Sequence, residues 1–507
     1  MLSDDSCALL IVGETTMKLL CTSIVAIASF CITTASFADI YQYSDCDGNG
    51  TLLLTELDAE PGVDLSGLYL GCADLYNANL NSAYLADADL SGADLSGADL
   101  SQVLGWETAT WTHATYNFAT QLHPNMDPDA LGMRHVEQTI VVGGGGNSNI
   151  QDAIDSITDN WTGPTEILVM PGTYTDIHSQ VINPSGHALW IHSSDGADVT
   201  FIDGENTRRG IVCISQEDNV IIEDLTIRNC YAQHGAGMRL SNSTPKIISC
   251  VFDNNEAYGF GGGMYISNTA SPTVDLCKFT NNTALDGGGV RNYGNSPTFT
   301  NCTFFNNNAD TGGGIHNYAS HATYTGCILL ENNATSFGGG IHNQYGSNPD
   351  FTDCTVDGNI ADTGGGIRND ANSNPTFVNC NIFDNSAVYG GGVQNHNSSP
   401  SFNGCVIETN SGTGMLSLLK SNPSLENTTI CNNTPLNIDG PYSDLGGNTV
   451  CIGCSSDLNS DGNVNIEDLL QLIAAWGNAG GVEDLDEDGI VDIADLLTLV
   501  GDWGPCG

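Results

Sequence analysis

The strongest constraint on the fold is a recurrence: from Cys250 to Asn433 the chain repeats one pattern about every 26 residues. Glycine triplets stand at Gly261–Gly263, Gly287–Gly289, Gly312–Gly314, Gly338–Gly340, Gly364–Gly366 and Gly390–Gly392. Cys250, Cys277, Cys302, Cys327, Cys354, Cys380 and Cys405 each open the phrase Cys-x-apolar-x-x-Asn. Its apolar members are Phe252, Phe279, Phe304, Leu329, Val356, Ile382 and Ile407. Its asparagines are Asn255, Asn282, Asn307, Asn332, Asn359, Asn385 and Asn410, and Ile430 and Asn433 continue it with Thr428 in the cysteine's place. A fixed period of this size marks a solenoid, whose units bury an apolar face only against their neighbours.

Each unit holds short alternating runs such as PTFTNCTF and PDFTDCTV, which read as half-buried strands. Asn-Asn, Gly-Gly-Gly and Ser-Asn-Pro punctuate them as turns. No window in this stretch sustains a 3.6-residue apolar period. The expected fold is therefore all-β, one unit forming one coil of a parallel β-helix, with coils stacked at roughly 4.8 Å. Like residues then form columns. The cysteines become an interior column of small apolar groups, and the asparagines a column whose amides bond coil to coil. Disulfides along the cysteine column lie within bridging distance, although stacked neighbours rarely offer the required torsion.

These phrases resemble the right-handed parallel β-helix of the pectate-lyase-like fold, and are similar to the repeats of polymorphic outer-membrane proteins. The resemblance covers residues 138–451. It implies a fold and no single activity, because this fold carries lyases, hydrolases and plain binding surfaces. At its start, NIQDAIDSI places Ile150, Ala153, Ile154 and Ile157 on one helical face, ahead of the strand EILVMPGTY. That pair resembles the amino-terminal cap of the same fold, which a β-helix needs because an open end exposes unpaired strands.

Upstream, residues 1–38 read as a leader and signal peptide. Met17-Lys18 precedes LLCTSIVAIASFCITTASFA, an apolar run ending in a small-residue cleavage site at Ala38. Translation is expected to begin at Met17, and the mature chain to lack a transmembrane span and to be secreted or held at the cell surface. Residues 39–60 hold a lone EF-hand-like loop, with Asp45, Asp47, Asn49, Thr51 and Glu56 at calcium-ligand positions and Gly50 at the turn. In residues 61–104 leucine recurs every five residues from Leu65 to Leu100. This resembles the pentapeptide-repeat family, implying a narrow four-sided β-helix of about two coils. Residues 105–137, with Trp106 and Trp111, read as a linker or edge cover.

The chain has 60 Asp+Glu against 11 Lys+Arg, a net charge of -49, which argues against nucleic-acid binding. Much of the excess sits in calcium-like loops. Against that background one stripe of the repeats is unusual. The residue two beyond each triplet is expected to point outward: Arg239 (after the variant Gly-Ala-Gly), Tyr265, Arg291, His316, His342, Arg368 and Gln394. Tyr293, Tyr318, Gln344, Asp370 and His396 follow two residues later. Stacked rings and forked donors suit an extended anionic or neutral glycan. The glycan-binding candidates are Arg291, Tyr293, His316, Tyr318, His342 and Arg368; an ordinary solvated face is the competing reading. Asp286, Asp310 and Asp362 precede triplets, but they do not share one register, and glycosidases need two carboxylates at a set separation. The lyase pattern of calcium-binding acids beside a proton-abstracting arginine or lysine is not recognisable.

Residues 455–507 carry two calcium-type loops 27 residues apart. Asp457, Asn459, Asp461, Asn463, Asn465 and Asp468 fill the ligand positions of the first; Asp484, Asp486, Asp488, Ile490 (by its carbonyl), Asp492 and Asp495 fill those of the second. Each loop enters a short apolar helix, LLQLIAAWG or LLTLVGDWG. The module resembles a type I dockerin, a small paired EF-hand, which implies calcium as cofactor and a cohesin-like or cell-surface partner. Cys454 and Cys506 could clasp its ends, with Cys451 competing.

Together these features predict a secreted, non-catalytic β-helix protein that binds an extracellular glycan or surface partner and is attached through its calcium module. The alternative is a polysaccharide lyase or glycoside hydrolase of an extracellular degrading assembly.

Overall fold

Five-residue leucine spacing closes a four-sided coil, and parallel bridges join Asp64 to Tyr84, Asp74 to Asp94 and Asn79 to Asp99, each pair twenty residues apart. In this computed structural model, which describes residues 39–41, 53–157, 163–214, 217–451, 456–459, 463–478, 480–486 and 488–505, the leucines from Leu65 to Leu100 fill the coil's core. The leader and the loop residues Asp45, Asp47, Asn49 and Thr51 lie outside the described residues; Glu56 falls in the strand Leu53–Asp58, antiparallel to Asp39–Tyr41.

Residues 105–137, expected to be a linker, continue this small solenoid instead. Leu104, Thr110, Thr115 and Gln121 pair onto Tyr84, Asp89, Asp94 and Asp99. Trp111 is buried in the same core, its Nε1 donating to the Trp106 carbonyl at 3.0 Å. Inserted residues stretch the spacing past twenty, so the five-residue rhythm is lost while the coil persists. Glu223, on a strand of the large β-helix, ties the two solenoids together. This buried carboxylate meets His113 at 2.8 Å, Arg134 at 3.9 Å and the Trp190 indole N–H at 2.9 Å.

The large β-helix starts beneath its cap. Helix α1 (Ile150–Asp155) is N-capped by Asn149 and buries Ile150, Ala153 and Ile154 against the first coils. Three long parallel sheets of 12, 11 and 13 strands then run the length of the solenoid. A fourth, shorter sheet comprises Asn308–Thr311, Asn333–Phe337, Ile360–Thr363 and Ser386–Tyr389. Pairing is in register with the repeat: Val290, Ile315, Ile341, Ile367 and Val393 are successive partners.

The expected columns form. All seven ladder cysteines are buried free thiols, so no disulfides run along that column. Cys431 is bonded to Cys451; Cys451 therefore does not compete for Cys454 or Cys506, both of which lie outside the described residues. Each ladder asparagine is satisfied by its neighbours. Asn332 accepts from the Asn307 backbone N–H (3.1 Å) and side-chain amide (2.9 Å), and donates to Phe304 O and Asn359 Oδ1 (both 2.9 Å). A second interior column, not anticipated, links Asn292, Asn317, Asn343, Asn369 and Asn395 amide to amide at 2.8–2.9 Å. A low-dielectric core favours such amides when they are paired, and along this column the Asn292 oxygen, at its amino-terminal end, is the one buried without a partner.

At the carboxyl end, helices α2 (Ile466–Ala474) and α3 (Ile493–Gly501) each begin with a capping box and pack around Val464, Leu472, Val491 and Leu499.

Candidate functional site

The glycine triplets create the site. Gly312 sits at φ +62°, where a side chain is disfavoured. A Cβ on Gly313 would lie 2.4 Å from the Gly339 carbonyl of the next coil. Bare backbone at this point lets each coil turn sharply between two strands, so that outward side chains of the short sheet and of the 11-stranded sheet meet across a corner, as Phe337 meets His342 and Thr363 meets Arg368. One wall of this cleft is the column before the triplets: His234, Phe260, Asp286, Thr311, Phe337, Thr363 and Tyr389. Its floor is the column after them: Arg239, Tyr265, Arg291, His316, His342, Arg368 and Gln394.

The floor residues do point away from the core, as expected, but they are not solvent-facing. Arg291, His316, His342, Arg368 and Gln394 are only 1–7% exposed, because the wall covers them; Arg239 and Tyr265 are half-buried. Arg291 pairs with Asp286, lies 3.3 Å from His316 Nδ1 and stacks beneath Phe260 (4.1 Å). Arg368 repeats the motif three coils on: it bonds Gln394, Thr363 (3.2 Å) and Asp370 (3.4 Å) and stacks on Phe337 (4.9 Å). Between them His316 and His342 stack at 4.7 Å. Burial, then the charges of His342 and Arg291, hold His316 well below the usual imidazole range. Burial, then Arg368, lower His342 to about 3, against an opposing pull from Asp370. Both rings are therefore neutral near pH 7, and neither nitrogen of His342 meets a hydrogen-bond partner.

The column two residues on is the rim. Tyr293 and Tyr318 stack at 5.3 Å, and Tyr345 continues the series at 4.7 Å; Tyr293 and Tyr345 are 43% and 56% exposed. Asp370 and His396 pair at 3.0 Å on the same rim. Burial raises Asp370, but the Arg368 charge and the His396 bond outweigh it and leave its carboxyl below the usual range.

Of the three acids before triplets, only Asp286 faces the cleft, and Asp310 and Asp362 are exposed elsewhere in a different register. Asp286 and Asp370 stand three coils apart, roughly 14 Å at the stacking distance, beyond the span of a glycosidase pair. The repeat identified the floor and rim. It did not identify the wall, although the residues immediately before the triplets (Phe260, Asp286, Thr311, Phe337 and Thr363) were a signal available for finding it.

In the carboxyl-terminal module, Asp484, Asp486 and Asp488 bring carboxylate oxygens within 4.8 Å of one another, the only such convergence of three metal-ligating groups among the described residues. The bond from the Asp488 N–H favours ionised Asp486, yet burial and repulsion by Asp488, Asp495 and Asp484 raise its pKa overall. These hard oxygen donors fit calcium. Asp468 and Asp495 are buried and accept backbone N–H bonds from Asn459 and Asn465, and from Leu485, Asp486 and Asp492, so they also fasten each loop to its helix. Asp461 lies outside the described residues.

The family model described as right handed beta helix region matches residues 139–304, 210–381 and 263–435, and the pentapeptide-repeat model matches eight copies over residues 62–103. No curated protein sequence matches the chain. Among solved structures, the A-module of the mannuronan C-5 epimerase AlgE6 of Azotobacter vinelandii is similar at 14% identity and a TM-score of 0.38, over 59% of this chain and 93% of that one. Pectate lyase Pel9A is similar at 12% and 0.34, over 64% and 84%. A pectin methylesterase from carrot is similar at 10% and 0.26, over 61% and 88%. At these values the likenesses carry nothing about activity.

Proposed function

The chain belongs to the right handed beta helix family across residues 139–435, and on that premise we propose that it is an exported binding protein. It holds an acidic extracellular glycan along the cleft without cleaving it, and is attached to a partner surface through its calcium-dependent carboxyl-terminal module. The observation that carries this reading is the cleft's chemistry in an acidic chain. With a net charge of -49 and 11 Lys+Arg in all, Arg239, Arg291 and Arg368 share one column beside an exposed tyrosine series. A linear polymer lying along the axis would meet an arginine at the first, third and sixth of the seven coils from Arg239 to Gln394, and a rim tyrosine at the third, fourth and fifth. The exposed rim tyrosines Tyr293 and Tyr345 offer ring surface to sugars, with Tyr318 stacked between them, while Arg291 and Arg368 are already paired within the protein and act as a rigid bed. Replacing those two arginines would disturb folding as much as binding, so they are poor probes.

Attachment is supported by a duplicated apolar face. Ile466, Leu470 and Ile473 on α2 with Trp476 just beyond it, and Ile493, Leu497 and Val500 on α3 with Trp503 just beyond it, are exposed at matching positions. Among the described residues no helix is long and apolar enough to cross a membrane.

The test is a glycan panel read for binding and for products together. Polyuronates are expected to bind the full chain and be recovered intact, and Tyr345→Ala, at an exposed rim ring, to weaken binding about tenfold, the worth of one aromatic contact of about 1.4 kcal/mol. Equal affinity for neutral glucans would refute the acidic-glycan reading. Release of unsaturated or reducing ends would instead favour a second reading, a polysaccharide lyase or hydrolase. That reading has one specific observation behind it: His342 is a neutral, unpartnered imidazole next to Arg368 in the column, with His316 between it and Arg291.

A further inference from the structure

The arginines of this chain differ in how their charge is met. Of seven, five have a described carboxylate: Arg134 with Glu223, Arg208 with Glu205, Arg228 with Asp203, Arg291 with Asp286, and Arg368 with Asp370. Arg209 and Arg239 have none among the described residues, although 60 acidic residues were available to supply one. These two lie together at the amino-terminal end of the cleft. Leaving like charges side by side and part-buried is unfavourable unless something else neutralises them.

The groups around them carry no negative charge to meet theirs. Arg209 is fixed by bonds from Nε to the Gly235 carbonyl (3.0 Å) and from Nη2 to the His234 carbonyl (3.1 Å), which leaves Nη1 free to point elsewhere. Arg239 is the first floor residue, and its Nε is buried without a partner. His234 accepts the Phe260 backbone N–H on Nδ1 (3.2 Å), so in the neutral ring the proton sits on Nε2. Its ring is held against Phe260 at 4.7 Å and lies 5.4 Å from that of Tyr265, the floor residue one coil beyond Arg239. Burial, then the charge of Arg239, lower the proton affinity of Arg209. Burial, then Arg239, Arg209 and Arg291, do the same to His234. No carboxylate contributes to either effect. Just outside, Tyr231 and Tyr258 are exposed, with rings 5.7 Å apart.

We infer that Arg209, His234, Arg239 and Tyr265 form an anion subsite that receives a carboxylate or sulfate group of the glycan, with Tyr258 as the platform for the sugar ring that bears it. This rests on the cleft's role in glycan binding and locates the charge recognition within it. The paired arginines further along supply the bed, and this end supplies the unmet positive charge. A forked guanidinium beside a second one suits a planar carboxylate or a tetrahedral sulfate alike.

The experiment is calorimetric titration of the full chain and its variants with a uronic-acid oligosaccharide, with inorganic sulfate, and with a neutral glucan oligosaccharide of equal length. Arg239→Gln is the variant of choice, because among the described residues Arg239 makes no hydrogen bond or ion pair that folding depends on. Lys278→Gln removes the same charge from an exposed strand position of another sheet and serves as control. Arg239→Gln is expected to lower uronate affinity about tenfold to about a hundredfold, the loss of one charge-assisted contact. Lys278→Gln is expected to change it less than about twofold, as a distant screened charge should. Sulfate is expected to raise the thermal midpoint of the wild type and not of Arg239→Gln. If the wild type binds uronate and Arg239→Gln binds it equally well, or if Lys278→Gln loses as much, the subsite is refuted while the glycan-binding cleft stands. If sulfate binds through Arg239 but no glycan binds at all, the subsite stands for free anions and the glycan reading falls. If neither ligand binds, both fall.

Discussion

Replacing His342 with leucine should make the protein more stable and less sensitive to acid. The side chain is 1% exposed, stacked on His316 (4.7 Å) with the Phe337 ring tilted against it (5.8 Å), and both ring nitrogens are buried without partners. Its neighbours of either charge are Arg368, Arg291 and Asp370, and the balance with burial lowers its pKa from 6.5 to about 3. Once unfolded it titrates near 6.5 again. Between those values the unfolded chain binds a proton that the native chain does not, so this residue's contribution to stability falls as pH drops from about 6.5 to about 3. Over the whole interval the loss is about 5 kcal/mol, and from about pH 7 to about pH 4.5 it is roughly 3 kcal/mol. Leucine fills much of the same volume with no polar atom. At neutral pH it should therefore gain about 1–3 kcal/mol, the cost of leaving a buried polar group unsatisfied. Between about pH 7 and about pH 4.5 it should remove roughly 3 kcal/mol of the wild type's acid sensitivity. Urea unfolding of the full chain, followed by far-ultraviolet circular dichroism at both pH values, measures each quantity. His316 titrates in both proteins, but the His342 charge is one cause of its lowered proton affinity, so the difference between them reports His342 together with that coupling. A variant that loses more than about 1 kcal/mol at neutral pH, or that keeps the wild-type difference between the two pH values, would overturn the reasoning.

Asn332→Ala should be costly, since it orphans the Asn307 amide N–H and backbone N–H and the Phe304 carbonyl together. About 3–5 kcal/mol is expected, with amide exchange rising first in the adjoining coils. A loss below about 1 kcal/mol would mean that water replaces the amide. In the carboxyl-terminal module, Asp457→Ala with Asp484→Ala should abolish two calcium sites in isothermal titration of the full chain, and a chelator should alter the fluorescence of Trp476 and Trp503. An unchanged number of bound ions would remove calcium from these loops.

A solenoid shows much of its fold in its sequence, because stacking converts spacing into contact. Counting residues was enough to place Cys277 over Cys302 and Asn307 over Asn332, since a period fixes which residue lies above which whatever the coil's outline. The same holds for Leu65 to Leu100, where five residues make one side of a square coil. The rhythm failed as a guide at residues 105–137, where insertions preserved the coil but altered the count.

Sequence also determined which side of its strand each stripe residue faces, because alternation along a strand has only two outcomes. It could not determine what lies beyond that side. Arg291, His316, His342 and Arg368 face outward and are nevertheless buried, because the strands before the triplets fold back over them, and the depth of that corner depends on the angle between two sheets. The pairing of Arg291 with Asp286, and the absence of any described carboxylate beside Arg209 and Arg239, result from the same closure. Residues of different registers meet there, and a linear period carries no information about meetings between columns. The columns were decided along the axis by the sequence; the cleft was decided across it by the tertiary fold.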